Sequence, residues 1–501
     1  MAVDSQKIAK NTLFMYLRLI LTIPLSFITS RIVLQQLGVV DFGIYNVVGG
    51  IISFFAILRS SFAAATQRFY NVAIASDDNA ALSRIYTTSL VVHIIIALAL
   101  VLAIEVFGIW FIHHKMNYPV ERTADVYFCF HLAVAALVFT IITIPFDAMV
   151  IAKERISFYA YLSILDIVLK LLLVCALIFI TGDKLRIYAI TQFIVPILLL
   201  LITFAYFKKN FPEVRLARFD AKSFREMSVF TGWGLLGNIG YSLSNQGTNL
   251  LLNVFGGVIV NTAQGISMQV RTIITKILGD TIVSVRPQGI QLFAKNERQE
   301  FFNLIYTYTK VLFALAVILC LPLIIYAREV LYFWLGSVPE YSTGFVILIL
   351  LFCIVRSVHG PLDLVYHASG RMKPYQKCAL LAAVATFSLS WVALKLGFGV
   401  YSVYVIFMIT DFLLSMSMVL MARRDGLAFG TFLHKAILPS LIFFCVCAVF
   451  SYGLYLMQLN FIVGIGISVC FYLTVAFYGL LSKSQRTTII SKVKNKLHHA
   501  G

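Results

Sequence analysis

Long apolar stretches recur along this 501-residue chain, each about as long as a lipid bilayer is thick. In hydrocarbon every backbone N–H and C=O must be satisfied inside its own segment, so a crossing helix needs roughly 20 apolar residues to span about 30 Å. Such stretches fall near 11–32, 43–62, 87–111, 125–150, 157–180 and 186–207. They continue near 228–255, 258–283, 302–327, 342–366, 376–396, 399–422, 433–455 and 460–481. Only 12% of residues are charged and 60% are hydrophobic, whereas a soluble domain carries roughly a quarter charged residues. A water-facing globule is excluded. The expectation is an all-α, polytopic membrane protein of about fourteen transmembrane helices.

The formal charge of +18 would suit a nucleic-acid partner, but its distribution gives another reason for it. With Lys7 and Lys10 on the cytoplasmic side, the even-numbered loops and the C-terminus carry about 27 of the 40 basic residues, against about seven outside. Short loops biased in this way orient a membrane protein. N- and C-termini are therefore expected in the cytoplasm, and no nucleic acid is implied. The first span follows two lysines as a signal peptide does, yet it is long, contains Arg18 and Pro24, and no small-residue cleavage site follows, so it reads as a retained helix. All eight cysteines (129, 175, 320, 353, 378, 445, 447, 470) lie inside apolar spans. That placement favours buried packing over a disulfide framework or a metal cluster, and Cys445 and Cys447 point roughly 200° apart on a helix. No metal or cofactor is expected.

The chain repeats itself. Pro145, Asp147, Ala152, Arg155 and Tyr159 return as Pro361, Asp363, Ala368, Arg371 and Tyr375, all at one offset of 216. Ile85-Tyr86-Thr87 returns as Ile305-Tyr306-Thr307, and Arg68 as Arg286, at offsets between 216 and 220. The offset spans an even number of helices, so the halves run the same way through the membrane as parallel repeats, with a substrate path expected at their interface. This divides the chain into a first six-helix repeat (1–210), a basic cytoplasmic linker (211–225), a second repeat (226–425), a final helical pair (426–482) and a basic tail (483–501). The result is a two-lobed carrier with two appended helices. Arg68, Asp147, Arg155, Arg286, Asp363 and Arg371 are its repeat and gating residues.

Polar side chains within hydrocarbon are costly and face a cavity or another helix. The seventh span sets Asn238, Ser242, Asn245, Asn249 and Asn253 on one face, and the eighth continues with Gln264, Ser267, Arg271 and Thr275. Arg18, Thr22, Ser26 and Thr29 form a stripe on the first span, and Asn46, Gly49, Gly50 and Ser53 lie on the second. Either these hydrogen-bond helix to helix or they line a hydrophilic cavity. Gly232, Gly234 and Gly237 spell GxGxxG, but no strand precedes them. A nucleotide fingerprint is excluded, which leaves close packing or a bend in a moving helix as the role of Gly234 and Gly237. No GxxxxGK[ST] occurs.

Six basic residues fall within spans. Lys170 and Lys276 have acids one helical turn away, in Asp166 and Asp280, and Lys310 lies where it can snorkel. Arg18, Arg271 and Arg356 have no acid three or four residues away, which makes them candidates for a diphosphate, an anion that a guanidinium binds through paired, charge-assisted hydrogen bonds. Asp166 and Asp411 are the deepest acids and the candidates for ion coupling, Asp411 having no basic residue on its own helix face. His93 and His131 read as packed, His113 and His114 as loop residues.

Lys10-Asn11-Thr12 before the first span and Leu37-Gly38-Val39-Val40-Asp41-Phe42-Gly43-Ile44-Tyr45 after it complete a pattern that resembles the polysaccharide or O-antigen flippases. These form the Wzx-like group of the multidrug/oligosaccharidyl-lipid/polysaccharide exporter superfamily, with a MATE-like fold. The resemblance implies transfer of an undecaprenyl-diphosphate-linked oligosaccharide from the cytoplasmic to the periplasmic leaflet of a bacterial inner membrane, for polysaccharide synthesis, by ion-coupled alternating access. It implies a lipid-linked glycan, membrane lipids and a proton or sodium ion as partners, and function as a monomer. Asn46, Asn238, Asn245, Asn249 and Gln264 would join the three arginines in binding cargo. A lipid II flippase and a multidrug exporter share this architecture. A membrane glycan polymerase or ligase is disfavoured, because the longest outside segments, near 112–124 and 328–341, are too short for a catalytic loop.

Overall fold

The computed structural model describes residues 5–56, 58–75, 78–153, 155–228, 240, 242–480 and 486–487, with side chains described from Pro24 onward apart from short stretches such as 55–62 and 282–284. Among the described residues there are helices and turns but no strands. Among the described residues, twelve helical spans are long and apolar enough to cross a membrane. The first half contains α1 (Ser5–Ala56), α2 (Leu58–Ala75), α3 (Asn79–His114), α4 (Thr123–Ala152), α5 (Ile156–Ala176) and α6 (Lys184–Asn210). A π-turn, Leu243–Gly247, leads into α7 (Thr248–Ala294), followed by α8 (Arg298–Ile325), α9 (Ala327–Leu335), α10 (Ser342–Arg356) and α11 (His359–Ser369). The chain continues through α12 (Met372–Lys395), α13 (Ser402–Ala422), the short α14 (Phe429–Phe432), α15 (Leu438–Leu456) and α16 (Phe461–Val475).

The sequence separates 11–32 from 43–62 and 228–255 from 258–283, but the structure joins each pair through one glycine. Helix α1 passes through Gly38 at φ 74°, ψ 176°, and α7 through Gly257 at φ 72°, ψ −174°. Both conformations lie in a region closed to residues with a Cβ, so each joint turns the chain without spending a loop. Their spacing falls within the offsets of the repeat.

The chain divides into two compact units, Met1–Thr262 and Ala263–Gly501. In the first, α4 packs on α3, α6, α2 and α1. In the second, α8 packs on α10, α15 and α16, and α13 on α12 and α10. Each unit has a core containing the same register of the repeat. Tyr86, Phe146, Ala148, Met149 and Val150 are buried in the first; Tyr306, Leu362, Leu364, Val365 and Tyr366 hold the corresponding places in the second. The duplicated segments thus place equivalent residues at equivalent depths.

The linker is fastened to its own unit. Backbone N–H groups of Arg215, Ala217 and Asp220 donate to the hydroxyls of Ser83, Thr87 and Thr88 on α3, at 3.3, 2.8 and 3.0 Å. Asp220 then caps a short helix by accepting from the Lys222 and Ser223 amides. The Ser223 hydroxyl, first, and these amides hold the Asp220 carboxyl below the usual carboxylate range.

Candidate functional site: an arginine–aspartate pair and two glycine joints

In the second unit the polar chemistry gathers where α10 gives way to α11. Proline at position 361 has no N–H to offer the carbonyl of Ser357, and its ring clashes there. The helical ladder stops accordingly, with α10 ending at Arg356 and α11 beginning at His359. The break leaves Arg356 at a helix C-terminus, the favourable end for a cation. Its guanidinium pairs with Asp411 of α13. Asp411 is buried, and its second carboxylate oxygen, Oδ2, has no hydrogen-bond partner among the described residues. Arg356 Nη1 also lies 3.4 Å from Nδ1 of His359, whose Nε2 is 3.0 Å from the Tyr375 hydroxyl.

Arg271 of α7 reaches the same two helices, over aromatic residues one turn before Arg356 on α10 and one turn before Asp411 on α13. Its guanidinium lies over the rings of Phe352 and Phe407, at 4.8 and 5.9 Å from their centroids. Stacking engages the face of a guanidinium and leaves hydrogen bonding to its edge, the geometry for holding a cation in an apolar span while presenting donors to an oxyanion. One turn earlier, Tyr404 donates to Gln264 Oε1 and lies 2.9 Å from the Ser267 hydroxyl, all three buried.

In the first unit the two glycine joints meet. A Cβ at Gly43 would overlap the carbonyl of Val258, and the Thr262 hydroxyl donates to the carbonyl of Val39. Around them runs a ladder of asparagines. The Asn117 N–H donates to Asn253 Oδ1 at 2.8 Å, and Asn253 Nδ2 donates to Asn261 Oδ1 at 2.9 Å. Asn261 Nδ2 donates to Asn249 Oδ1 at 2.8 Å, and Asn249 Nδ2 reaches the Asn46 carbonyl at 3.4 Å. Beside the Gly38 joint, Arg122 pairs with Asp41, Asp125 and Asp183, while Arg186 pairs with Asp125. The first joint is thereby pinned to the ends of α4 and α6.

The sequence profile of the polysaccharide biosynthesis protein family matches residues 8–279, more than half of the chain. The chain belongs to this family. Its Wzx-like members are flippases of the superfamily named by the resemblance, and they are transporters rather than enzymes. Solved structures agree in fold. One described as the inward-facing conformation of a multidrug resistance MATE family transporter superposes with a TM-score of 0.67 at 13% identity, covering 81% of this chain and 97% of that one. The lipid II flippase MurJ in an inward closed conformation gives 0.66 at 14% identity, covering 93% and 99%. A transporter of the same superfamily from Pyrococcus furiosus, described by a binding pocket of reversed polarity, gives 0.55 at 12% identity, covering 81% and 95%. At these identities the likeness is one of fold. No curated protein matches the sequence.

Within this flippase fold the residues singled out from sequence divide sharply. Arg356 and Asp411, neither with an opposite charge three or four residues away on its own helix, pair with each other; sequence spacing does not name the partner because the two lie on different helices. Arg271 joins them. Asp166 and Lys170 pair at 2.9 Å within α5, apart from this cluster. Asn249 and Asn46 lie in the ladder, the Asn46 amide donating to the Phe42 carbonyl of its own helix. Asn245 occupies the π-turn. Gly234, Gly237 and Asn238 lie outside the described residues, as does the side chain of Arg18.

Of the repeat residues, Arg286 lies 3.6 Å from Asp363 and Arg371 lies 3.2 Å from Asp425. Arg68 stacks 5.6 Å from the Phe69 ring centroid. Asp147 is on α4 and Arg155 precedes α5. Lys310 donates to the Leu480 carbonyl at 3.1 Å. His131 is exposed and lies 3.0 Å from Glu105 rather than packed. Cys445 and Cys470 are exposed on their helices, where lipid replaces protein as the apolar neighbour. Sequence reasoning passed over His359, Asn117, Asn261 and the Arg122 cluster. An extra signal existed only for Asp41, inside the glycine-rich motif at the first joint.

Proposed function

We propose that this chain is a flippase that carries an undecaprenyl-diphosphate-linked oligosaccharide from the cytoplasmic to the periplasmic leaflet for polysaccharide synthesis. It does so as a monomer of the bacterial inner membrane, with both termini cytoplasmic. The observation that supports this most is the pairing of Arg356 with buried Asp411 beside the stacked Arg271. A guanidinium in an apolar span needs an anion, and a cargo diphosphate can take the place of the carboxylate with two parallel hydrogen bonds. The neutral amides of Gln264, Asn46, Asn238, Asn245 and Asn249 suit sugar hydroxyls. Asp411 is the coupling carboxylate, exchanging its arginine for a proton or sodium ion as the carrier alternates; Asp166 is the second candidate.

The test is transfer of defined polyprenyl-diphosphate oligosaccharides across proteoliposome membranes, with lipid II and a cationic dye as competing cargoes. Arg18, Arg271 and Arg356 are each replaced by Gln, and Asp411 by Asn. The reading requires loss of glycan transfer in the arginine variants at unchanged membrane insertion, and loss of gradient dependence in Asp411→Asn. Full transfer by all three arginine variants, or preference for the dye, refutes it; preference for lipid II reassigns the glycan.

A further inference from the structure

The hydrogen bonds around His359 have only one consistent set of directions. A guanidinium donates and never accepts, so the His359 Nδ1 facing Arg356 at 3.4 Å carries a lone pair rather than a proton. The ring proton therefore sits on Nε2 and is donated to the Tyr375 oxygen at 3.0 Å. A directed chain thus runs from the Asp411–Arg356 pair through His359 to Tyr375. The duplicated acid Asp363, one turn beyond His359 on α11, is held separately by Arg286 at 3.6 Å and His367 at 3.2 Å.

The charged and titratable groups around the imidazole come from each neighbouring element. Arg356 at the end of α10 lies 3.4 Å from Nδ1 and carries Asp411 of α13 as its own partner, and the Tyr375 hydroxyl of α12 lies 3.0 Å from Nε2. Asp363 lies one turn further along α11, paired with Arg286 of α7. His359 itself is 4% exposed. A second proton would have to enter at Nδ1, where it would meet an Arg356 N–H head-on and set two donors and two positive charges against each other. Either the ring stays neutral and Arg356 stays seated, or the ring is charged and Arg356 leaves.

We propose that His359 is the residue through which proton binding controls anion access to Arg356. Protonation of Nδ1 unseats the guanidinium, which turns to a diphosphate, and the anion's charge in turn stabilises the imidazolium. The inference rests on the anion reading of Arg356 given above and adds the histidine as the switch that releases that arginine, Asp411 remaining the carboxylate that exchanges it for an ion.

The experiment uses the full chain in detergent and a short-chain prenyl-diphosphate monosaccharide, whose diphosphate diester keeps both charges across the neutral range. Calorimetry in buffers of different ionisation enthalpy reads affinity and proton uptake together. The wild type is expected to take up close to one proton per ligand, with affinity falling up to about tenfold per pH unit between the ring's free and bound midpoints. H359Q keeps an acceptor and a donor but cannot charge, so it should bind without proton uptake or pH dependence. Y375F should move the midpoint to lower pH, because the imidazolium loses an acceptor, and it serves if H359Q does not fold. Uptake that persists in H359Q and disappears in D411N overturns the proposal, as does an unmoved midpoint in Y375F. Wild-type binding without proton uptake overturns it and leaves the anion site standing. Binding equal in wild type and R356Q, or absent from both, removes the anion site itself.

Discussion

Replacing Asn253 by Ala tests how the two glycine joints are held together. The side chain makes three hydrogen bonds: Asn117 N–H to Oδ1 at 2.8 Å, and Nδ2 to the Asn117 carbonyl at 3.2 Å and to Asn261 Oδ1 at 2.9 Å. Their loss is not uniform. Asn117 is exposed, so water re-satisfies both its groups and each of those bonds costs only its net value, about 0.5–1.5 kcal/mol. Asn261 is fully buried, and its Oδ1 left without a donor costs about 1–3 kcal/mol. The expected destabilisation is about 2–6 kcal/mol, with the largest single share at Asn261. Unfolding titrated with SDS in mixed micelles measures it, and an Asn253/Asn261 double-mutant cycle isolates the shared term. Asn253→Ala within 0.5 kcal/mol of wild type, or strict additivity with Asn261→Ala, would show that the ladder is not a connected unit and refute the reasoning.

Three other outcomes follow from the same geometry. Arg356→Gln should destabilise by about 3–5 kcal/mol because it strands the buried Asp411, and Asp411→Asn by less because Arg356 is 39% exposed, while the double variant should be closer to wild type than Arg356→Gln; the same SDS titration reads all three. Gly38→Ala should cost about 1–3 kcal/mol although nothing lies within 4 Å of the added methyl, since the penalty is in the backbone, and an unchanged midpoint would argue against the positive-φ joint. The Asp220 cap has a carboxyl held low in the folded chain, so its contribution is complete above the unfolded aspartate value of about 3.9 and is lost as pH falls through the lower folded value. Amide exchange at 222 and 223, corrected for intrinsic rates and compared with Asp220→Asn, should show protection falling below that point only in the wild type.

The helical class, the positions of the spans and the duplication were legible because each is a property of residues close in sequence or repeated at fixed offset. The repeat even foretold packing, as Tyr86 and Tyr306 are buried in equivalent cores. The cluster was legible only in part. Arg356 and Asp411 were both visible as costly intramembrane charges, but their pairing spans 55 residues, and helical spacing carries no information about a neighbour on another helix. Likewise Asn249 and Asn253 stood out as a stripe, whereas Asn117 and Asn261 became meaningful only once the joints brought them together. His359 left no trace at all: a histidine after an arginine near a proline is common, and its role depends on which ring nitrogen faces which donor.

The joints at Gly38 and Gly257 also bear on how the chain enters a membrane. Two apolar spans joined by one glycine leave no hydrophilic loop between them to be exported on its own. Arg122 and its aspartates can hold the first joint only once α4 and α6 have been made, because Asp125 and Asp183 stand at the starts of those helices. The turn is thus expected to form early in synthesis and its lock late.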